Sequence, residues 1–306
     1  MNLTAKIYHD ADAAREHLEA LHWPHGPVCP HCGVVGEATK LQGKNTRKGV
    51  YKCNACEKPF TVTVGTVMED SKIPLNKWVL AFALVNASKK GFSAHQLHRQ
   101  LGITYKSAWF MHHRIREAMR RDFEPMGGEG VTVEVDETFI GKDKSAPPSR
   151  TPFRNMNKVV TLVDRATGRA NSFHVTDNLD ATTISGILYT NVRRESRLVT
   201  DEARFYVRPG REFAAHESVN HYAKEYVRGD VTTNTIEGFF GIFKRGMKGI
   251  YQHCSSKHLQ RYLHEFDFRY TYRAATGYDD AARTAEALKG ARGKRLMYRQ
   301  PAFAAL

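Results

Sequence analysis

Val131-Thr-Val-Glu-Val-Asp136 alternates apolar and polar residues without a break and ends on a carboxylate. Strict alternation has the two-residue period of a strand with one face buried, so the spacing predicts a half-buried strand that delivers Asp136 to its end. Downstream, Lys158-Val-Val-Thr-Leu-Val163 and the stretch from Arg169 to Val175 flank Asp164-Arg-Ala-Thr-Gly168, which reads as a hairpin with its turn. Asp180-Ala-Thr-Thr opens a helix, and Arg197-Leu-Val-Thr200 is a strand that leads into Asp201. A helix or loop, a short strand around Ser218 to Asn220 and a helix from about Thr233 follow. Between the first strand and the hairpin, Gly141 to Asn157 is a long loop carrying Lys142, Lys144, Arg150 and Arg154; such length is more often functional or disordered than idle.

Three strands, then helix, strand, helix, strand, helix is the element order of a ribonuclease H-like domain with a mixed sheet. In that topology the strands before Asp136 and Asp201 are neighbours, and both carboxylates emerge at one edge. Glu237 starts the later helix, with 35 residues between it and Asp201. Taken singly, each is one of 32 acidic residues, most of which must be solvated, and an Asp after a strand is commonly a turn-former. Converging in a basic protein, the three would repel one another unless cations neutralise them. Oxygen ligands with open positions suit Mg²⁺ or Mn²⁺. Two such ions about 3.5–4 Å apart would activate an attacking hydroxyl and stabilise the leaving oxygen in a phosphoryl transfer. Lys244 lies seven positions after Glu237, two helical turns along the same face, with Arg245 beside it. Cations there would hold a DNA phosphate, although a solvated basic face explains either residue alone. Phe239, Phe240 and Phe243 read as core rather than base-stacking groups, and His216 and His221 as structural histidines rather than ligands.

Four of the five cysteines form two pairs, Cys29-Pro-His-Cys32 and Cys53-Asn-Ala-Cys56, separated by 20 residues. Two residues between thiolates let both sulfurs face one ion, and two such turns complete the tetrahedron that zinc accepts. Cys29, Cys32, Cys53 and Cys56 are therefore expected to hold a structural Zn²⁺ in a ribbon, with no open position for catalysis. Cys254 is left over as an ordinary thiol. After the ribbon come a helix from about Pro74 to Lys90, then Ser93 to Leu101, then Gly102-Ile-Thr104 and a basic helix from Tyr105 to Met119. Short helix, glycine-containing turn and longer basic helix make a helix-turn-helix pattern. Lys106 and Arg114 are its expected DNA contacts; an ordinary helical hairpin is the plainer alternative.

The whole chain is 306 residues with 46 Lys and Arg against 32 Asp and Glu, a net charge of +14. That excess points to nucleic acid rather than membrane. Beyond Gly238 the count is 13 basic against 5 acidic, a backbone-binding surface whose affinity should fall steeply with salt. The composition excludes collagen, low-complexity and disulfide-scaffold classes. No apolar run approaches the roughly 20 residues needed to span a bilayer, and residues 1–20 have no apolar export signal. A soluble, cytoplasmic, nucleoid-associated protein is expected.

Lys58-Pro-Phe-Thr-Val-Thr-Val-Gly-Thr66, Val133-Glu-Val-Asp-Glu-Thr138, Thr200-Asp-Glu202 and Asn234-Thr-Ile-Glu-Gly-Phe-Phe240 with Lys244-Arg-Gly246 resemble bacterial insertion-sequence transposases. The resemblance is to the ISXO2-like branch of the DDE superfamily, which has an N-terminal zinc ribbon and helix-turn-helix, and it covers about 23–273. It implies that Asp136, Asp201 and Glu237 are the catalytic triad, that they hold Mg²⁺ or Mn²⁺, and that Lys244 is the trailing basic residue. Asn234 is a rival third ligand, since related branches allow Asn there. Glu134 and Glu137 compete with Asp136; alternation places Glu134 on the face of Asp136 and Glu137 on the other, which makes Glu137 the weaker candidate. The implied domains are a zinc ribbon at 1–70, a helix-turn-helix unit at 71–125, a catalytic domain at 126–275 and a basic tail at 276–306. The implied activity is binding of terminal inverted repeats in double-stranded DNA, metal-dependent cleavage and joining to target DNA, by at least a dimer. A ribonuclease H-like nuclease, or a zinc-ribbon regulator without catalysis, would share parts of this pattern.

Overall fold

The computed structural model describes residues 2–122, 124–143, 153–220, 222, 223, 225 and 227–297. Lys144, Arg150 and His221 lie outside the described residues. The chain divides into two compact units, one built from residues 1–88, 92–120 and 279–306, the other from 89–91 and 121–278.

In the first unit a 3-10 turn at Lys6–Tyr8 precedes α1 (Ala11–His22), whose first turn is capped by the Asp10 carboxylate accepting from the N–H groups of Asp12 and Ala13. A small antiparallel sheet follows, β1 (Ala38–Lys40), β2 (Tyr51–Cys53) and β3 (Pro59–Phe60), in that order. Among the described residues its buried core is Cys29, Tyr51, Cys53 and Phe60, with Ala38, Cys56 and Val64 packed against it and Trp23 set edge-on to Tyr51 and Phe60 at 5.2 and 5.8 Å. Next come α2 (Leu75–Ala87), α3 (Ala94–Leu101) and α4 (Tyr105–Met119). Ser93 and Gln96 cap α3 reciprocally. Gly102, at φ +58°, ends it in the left-handed conformation that a side chain would resist. The Thr104 hydroxyl then accepts from the Ser107 N–H to start α4.

The second unit is built on β4 (Thr132–Lys142), β5 (Met156–Asp164), β6 (Ala170–Val175), α5 (Ala181–Asn191), β7 (Arg197–Thr200), α6 (Arg204–Gly210), β8 (Ala215–Ser218), the β9 (Val227–Arg228) and β10 (Val231–Thr232) hairpin, α7 (Asn234–Gly246) and α8 (Ser256–Thr271). The five-stranded sheet has the order β6-β5-β4-β7-β8. β4 runs antiparallel to β5 and parallel to β7, so the expected mixed sheet and the adjacency of the two aspartate-bearing strands are both present. Val133, Val135, Val160 and Leu162 point to one face, under Ile184 and Leu188 of α5 and Tyr206 of α6. Ile140, Val159 and Val163 point to the other, under Phe239, Phe240 and Phe243 of α7 and Leu263 and Phe266 of α8. The three phenylalanines are thus core.

Helix α8, which the sequence reading did not delimit, closes the sheet at β6. A strand at a sheet edge presents unpaired backbone groups that must be covered or paired. Here the Ala170 N–H donates to Thr271 Oγ1 (3.1 Å), the Ser172 N–H to Asp267 Oδ2 (2.9 Å) and the His174 N–H to Gln260 Oε1 (2.8 Å), while Gln260 Nε2 donates back to the Ser172 carbonyl (2.8 Å). Burial pushes the Asp267 carboxyl up to about 7, against the two hydrogen bonds from Ser172 that favour its ionised form. Asp267→Ala should lower unfolding free energy by about 2 kcal/mol, the cost of orphaning a buried donor. Asp267→Asn should lose less than about 1 kcal/mol, because its amide can still accept from the Ser172 N–H and donate to the hydroxyl. Urea midpoints check this, and equal losses in both variants would remove edge pairing as the cause.

Past Tyr278 the chain rejoins the first unit. Residues read as part of a basic tail form α9 (Asp280–Lys289), which packs on α1, α2 and α4. Arg283 donates to the Asn86 carbonyl (2.7 Å), Arg292 to the His22 carbonyl (2.8 Å) and the Gly293 N–H to the Gly65 carbonyl (2.8 Å).

Candidate active site

β4 pairs with β7 only from Thr132 to Glu134, whereas it stays paired with β5 out to Lys142. Beyond Glu134, therefore, the β7 side of β4 is an open edge, and Asp201 follows β7 directly into that notch. One carboxylate oxygen each from Asp136, Glu137 and Asp201 lies within 4.8 Å of the others. The backbone alternation is as expected: Asp136 is on the α7/α8 face with Ile140, and Glu137 on the α5/α6 face with Val133 and Val135. At an open edge, however, side chains from both faces can reach round to meet, and Tyr206 donates its hydroxyl to Glu137 Oε2 at 2.7 Å. The only sequence signal for Glu137 was its adjacency to Asp136.

Glu134, the other competitor, is fully buried and tied down. It accepts from Arg165 Nε at 2.6 Å and from the Ile236 N–H at 2.9 Å, fastening the first turn of α7 to β4. Arg165 continues to the carbonyls of Asp230 (2.8 Å) and Thr232. Glu134 is thus a structural carboxylate, neutralised by its own cation.

Glu237 stands exposed in the first turn of α7, accepting from Thr233 Oγ1 at 3.1 Å, and Asn234 is exposed at its start. Glu237 does not join the 4.8 Å cluster, but its charge adds to the field on Asp136. Lys244 is half-buried with its ammonium 5.9 Å from the Phe240 ring, and Arg245 is exposed. His216 meets Thr200 Oγ1 at 3.0 Å, a satisfied structural position.

Burial, then the charges of Glu137 and Asp201, push the Asp136 carboxyl up to about 8. Burial and Asp201 push Glu137 up to about 7. Both shifts favour the protonated forms, so a divalent cation entering the notch must displace protons below those values. All-oxygen donors crowded this closely fit Mg²⁺ or Mn²⁺. Mn²⁺ affinity should accordingly rise at least tenfold from pH 6.5 to pH 8.5 and level off above; a flat titration over that range would contradict the assignment of these pKa values.

In the first unit, Cys29 Sγ lies 3.7 Å from Cys56 Sγ and Cys32 Sγ 3.6 Å from Cys53 Sγ, with all four within 4.8 Å. Zn–S bonds of about 2.3 Å put tetrahedral sulfurs about 3.8 Å apart, so the four fit that ion. The N–H groups of His31 and Cys32 face the Cys29 sulfur, and that of Val34 faces Cys32. His31 Nε2 lies 3.3 Å from the Pro59 carbonyl and His22 Nε2 3.0 Å from that of Leu288, so both rings are engaged elsewhere. On α4, Lys106 is exposed in the first turn. Arg114, expected to face DNA, is instead half-buried and donates to the carbonyls of Leu296 (3.1 Å) and Glu69 (2.9 Å). Arg116 is buried outright.

Residues 127–271 match the family model of the ISXO2-like transposase domain, and residues 9–59 that of the transposase zinc-ribbon domain. The second match takes in α1, an element the sequence reading passed over. An uncharacterized protein in transposable element ISH50 of Halobacterium salinarum is 28% identical over 269 residues, covering 82% of this chain and 88% of that one. Among solved structures, the simian T-cell lymphotropic virus intasome in complex with PP2A regulatory subunit B56 gamma is similar at 15% identity with a TM-score of 0.31. That similarity covers 56% of this chain and 63% of the other.

Proposed function

Because this chain joins a transposase zinc ribbon to an ISXO2-like transposase domain, and so is a transposase of the insertion-sequence type, we propose that it cuts the terminal inverted repeats of its own element and joins them to target DNA. The observation that carries this reading is the meeting of Asp136, within β4 just past the point where β7 stops pairing, with Asp201 immediately after β7, inside the matched domain. Asp136, Asp201 and Glu237 would together hold two Mg²⁺ or Mn²⁺ ions, which would polarise the attacking hydroxyl and stabilise the leaving oxygen. In the first step a water oxygen bonds to phosphorus, the bond from phosphorus to the 3′-oxygen breaks, and that oxygen leaves as a hydroxyl. In the second, this 3′-hydroxyl bonds to a target phosphorus and a target 3′-oxygen leaves. One phosphoester is exchanged for another, so neither ATP nor a covalent protein intermediate is needed.

Lys244 and Arg245, along α7 from Glu237, would hold the phosphates beside the acidic notch. The ribbon and the α3/α4 pair, acting as a helix-turn-helix with Lys106 at the exposed start of α4, would bind the repeats; both are sequence-facing roles that position the cut. Cys29, Cys32, Cys53 and Cys56 would hold Zn²⁺ as a structural ion. Pairing two ends requires at least a dimer on DNA, in the cytoplasm with the nucleoid. The test is a gel assay of the purified chain with Mg²⁺ or Mn²⁺ and labelled ends taken from the DNA flanking its gene. Joined products are expected, and a pre-cut end terminated in a 3′-deoxynucleotide should not join. Cleavage without joining would make the protein a nuclease, and binding alone would leave a regulator.

A further inference from the structure

The triad implied by family likeness takes one carboxylate from each of three elements, Asp136, Asp201 and Glu237, yet the cluster that forms draws two from β4 and one from the end of β7. Glu137 is the added member. Its neighbour Glu134 shows what a structural carboxylate looks like on this strand: no exposure, and an arginine at 2.6 Å that cancels its charge. Glu137 differs on both counts. It is half-buried at the open edge, and its hydrogen-bond donor is the hydroxyl of Tyr206, a neutral group on a ring that is itself fully buried in the sheet core. Among the described residues neither Asp136 nor Glu137 has a lysine or arginine within ion-pair distance. A donor of this kind fixes the carboxylate without neutralising it, which is the arrangement found around carboxylates that ligate metals.

Resting on the transposase reading, we propose that Glu137 is a ligand of the catalytic cation and that Tyr206 is the positioning residue that holds it. Asp136, Glu137 and Asp201 then form a complete site for one divalent ion. Glu237, outside the 4.8 Å cluster, is needed only for a second ion or for the substrate-bound state.

Mn²⁺ binding to the full chain, followed by electron paramagnetic resonance in the absence of DNA, tests this apart from activity. Glu137→Gln should weaken the tightest Mn²⁺ site about 100-fold or more. Tyr206→Phe, which keeps the ring and deletes only the hydroxyl, should weaken it about tenfold, the loss typical of an outer partner of a ligand. Glu237→Gln should leave that first site within about threefold of wild type. Tight Mn²⁺ binding kept in Glu137→Gln but lost in Asp201→Asn would overturn this inference and leave the transposase reading standing. Binding indifferent to Asp136→Asn, Asp201→Asn and Glu137→Gln alike would overturn both. Circular dichroism matching wild type, with thermal midpoints no lower than wild type, confirms that each variant is folded when scored.

Discussion

Asp201→Asn should bind element ends as tightly as wild type and cut them about 10³-fold more slowly or worse. The change is isosteric and removes one negative charge from a notch where three carboxylate oxygens lie within 4.8 Å. Removing a single electrostatic contact to a phosphoryl transition state typically costs about 10²–10³ in rate, and losing a metal ligand costs more, so about 4 kcal/mol of barrier is the expected floor. In the proposed function DNA is held by phosphate contacts from Lys and Arg elsewhere, so affinity at fixed salt should change less than about threefold. The ion-free variant should also melt at a higher temperature than wild type. Asp201 raises the pKa of both Asp136 and Glu137, and relief of that repulsion stabilises the fold while removing the chemistry. Single-turnover cleavage beside a thermal melt in chelator reads both effects. A rate within tenfold of wild type would remove Asp201 from the reaction.

The second large effect belongs to the ribbon. Cys53→Ala, or prolonged treatment with a chelator, should unfold the segment from Trp23 to about Val64 and leave the five-stranded sheet intact. Apart from its four sulfurs, this segment buries little beyond Tyr51 and Phe60, with Trp23 against them. Strands of two and three residues cannot hold themselves together. A structural zinc contributes about 10–16 kcal/mol at neutral pH, far above anything that core supplies. Hydrogen exchange read by mass spectrometry should show protection lost in β1 to β3 and retained in β4 to β8, with one equivalent of zinc released. End binding should weaken about 100-fold or more. Retained protection in β2 after removal of the metal would mean that the ribbon folds without it.

Much of this could be read from the residues. The doubled cysteine pairs needed no fold to interpret, since their chemistry is local. The alternation of residues 131–136 located the first half of β4 and its faces, although β4 runs on to Lys142 and Asp136 lies within it rather than at its end; the element order, not the alternation, set β4 beside β7. What escaped notice depended on where pairing stops. Glu137 joins the notch because β7 ends and leaves β4 bare, and no periodicity encodes the length of a partner strand. Glu134 and Asp136 share one face and are both carboxylates, yet Arg165 claims the first and, among the described residues, no lysine or arginine lies within ion-pair distance of the second. Arg114 and Arg116 made α4 look like an exposed basic helix. In the fold they meet carbonyls and core, because the long aliphatic stems of arginine suit burial as well as they suit DNA. Residues 280–289, within the stretch expected as a basic tail, form α9 and group with a unit begun more than 250 residues earlier, a long-range partnership that local composition does not encode.

That return of the chain has a consequence for synthesis. A ribosome completes the β4 to α8 unit before it makes α9, and the contacts of Arg283 with Asn86, Arg292 with His22 and Gly293 with Gly65 can form only once residues 283–293 have been made. Messages broken or translation halted before Asp279 therefore yield no finished first unit. The part proposed to occupy the repeats is thus completed last, after the part proposed to cut them.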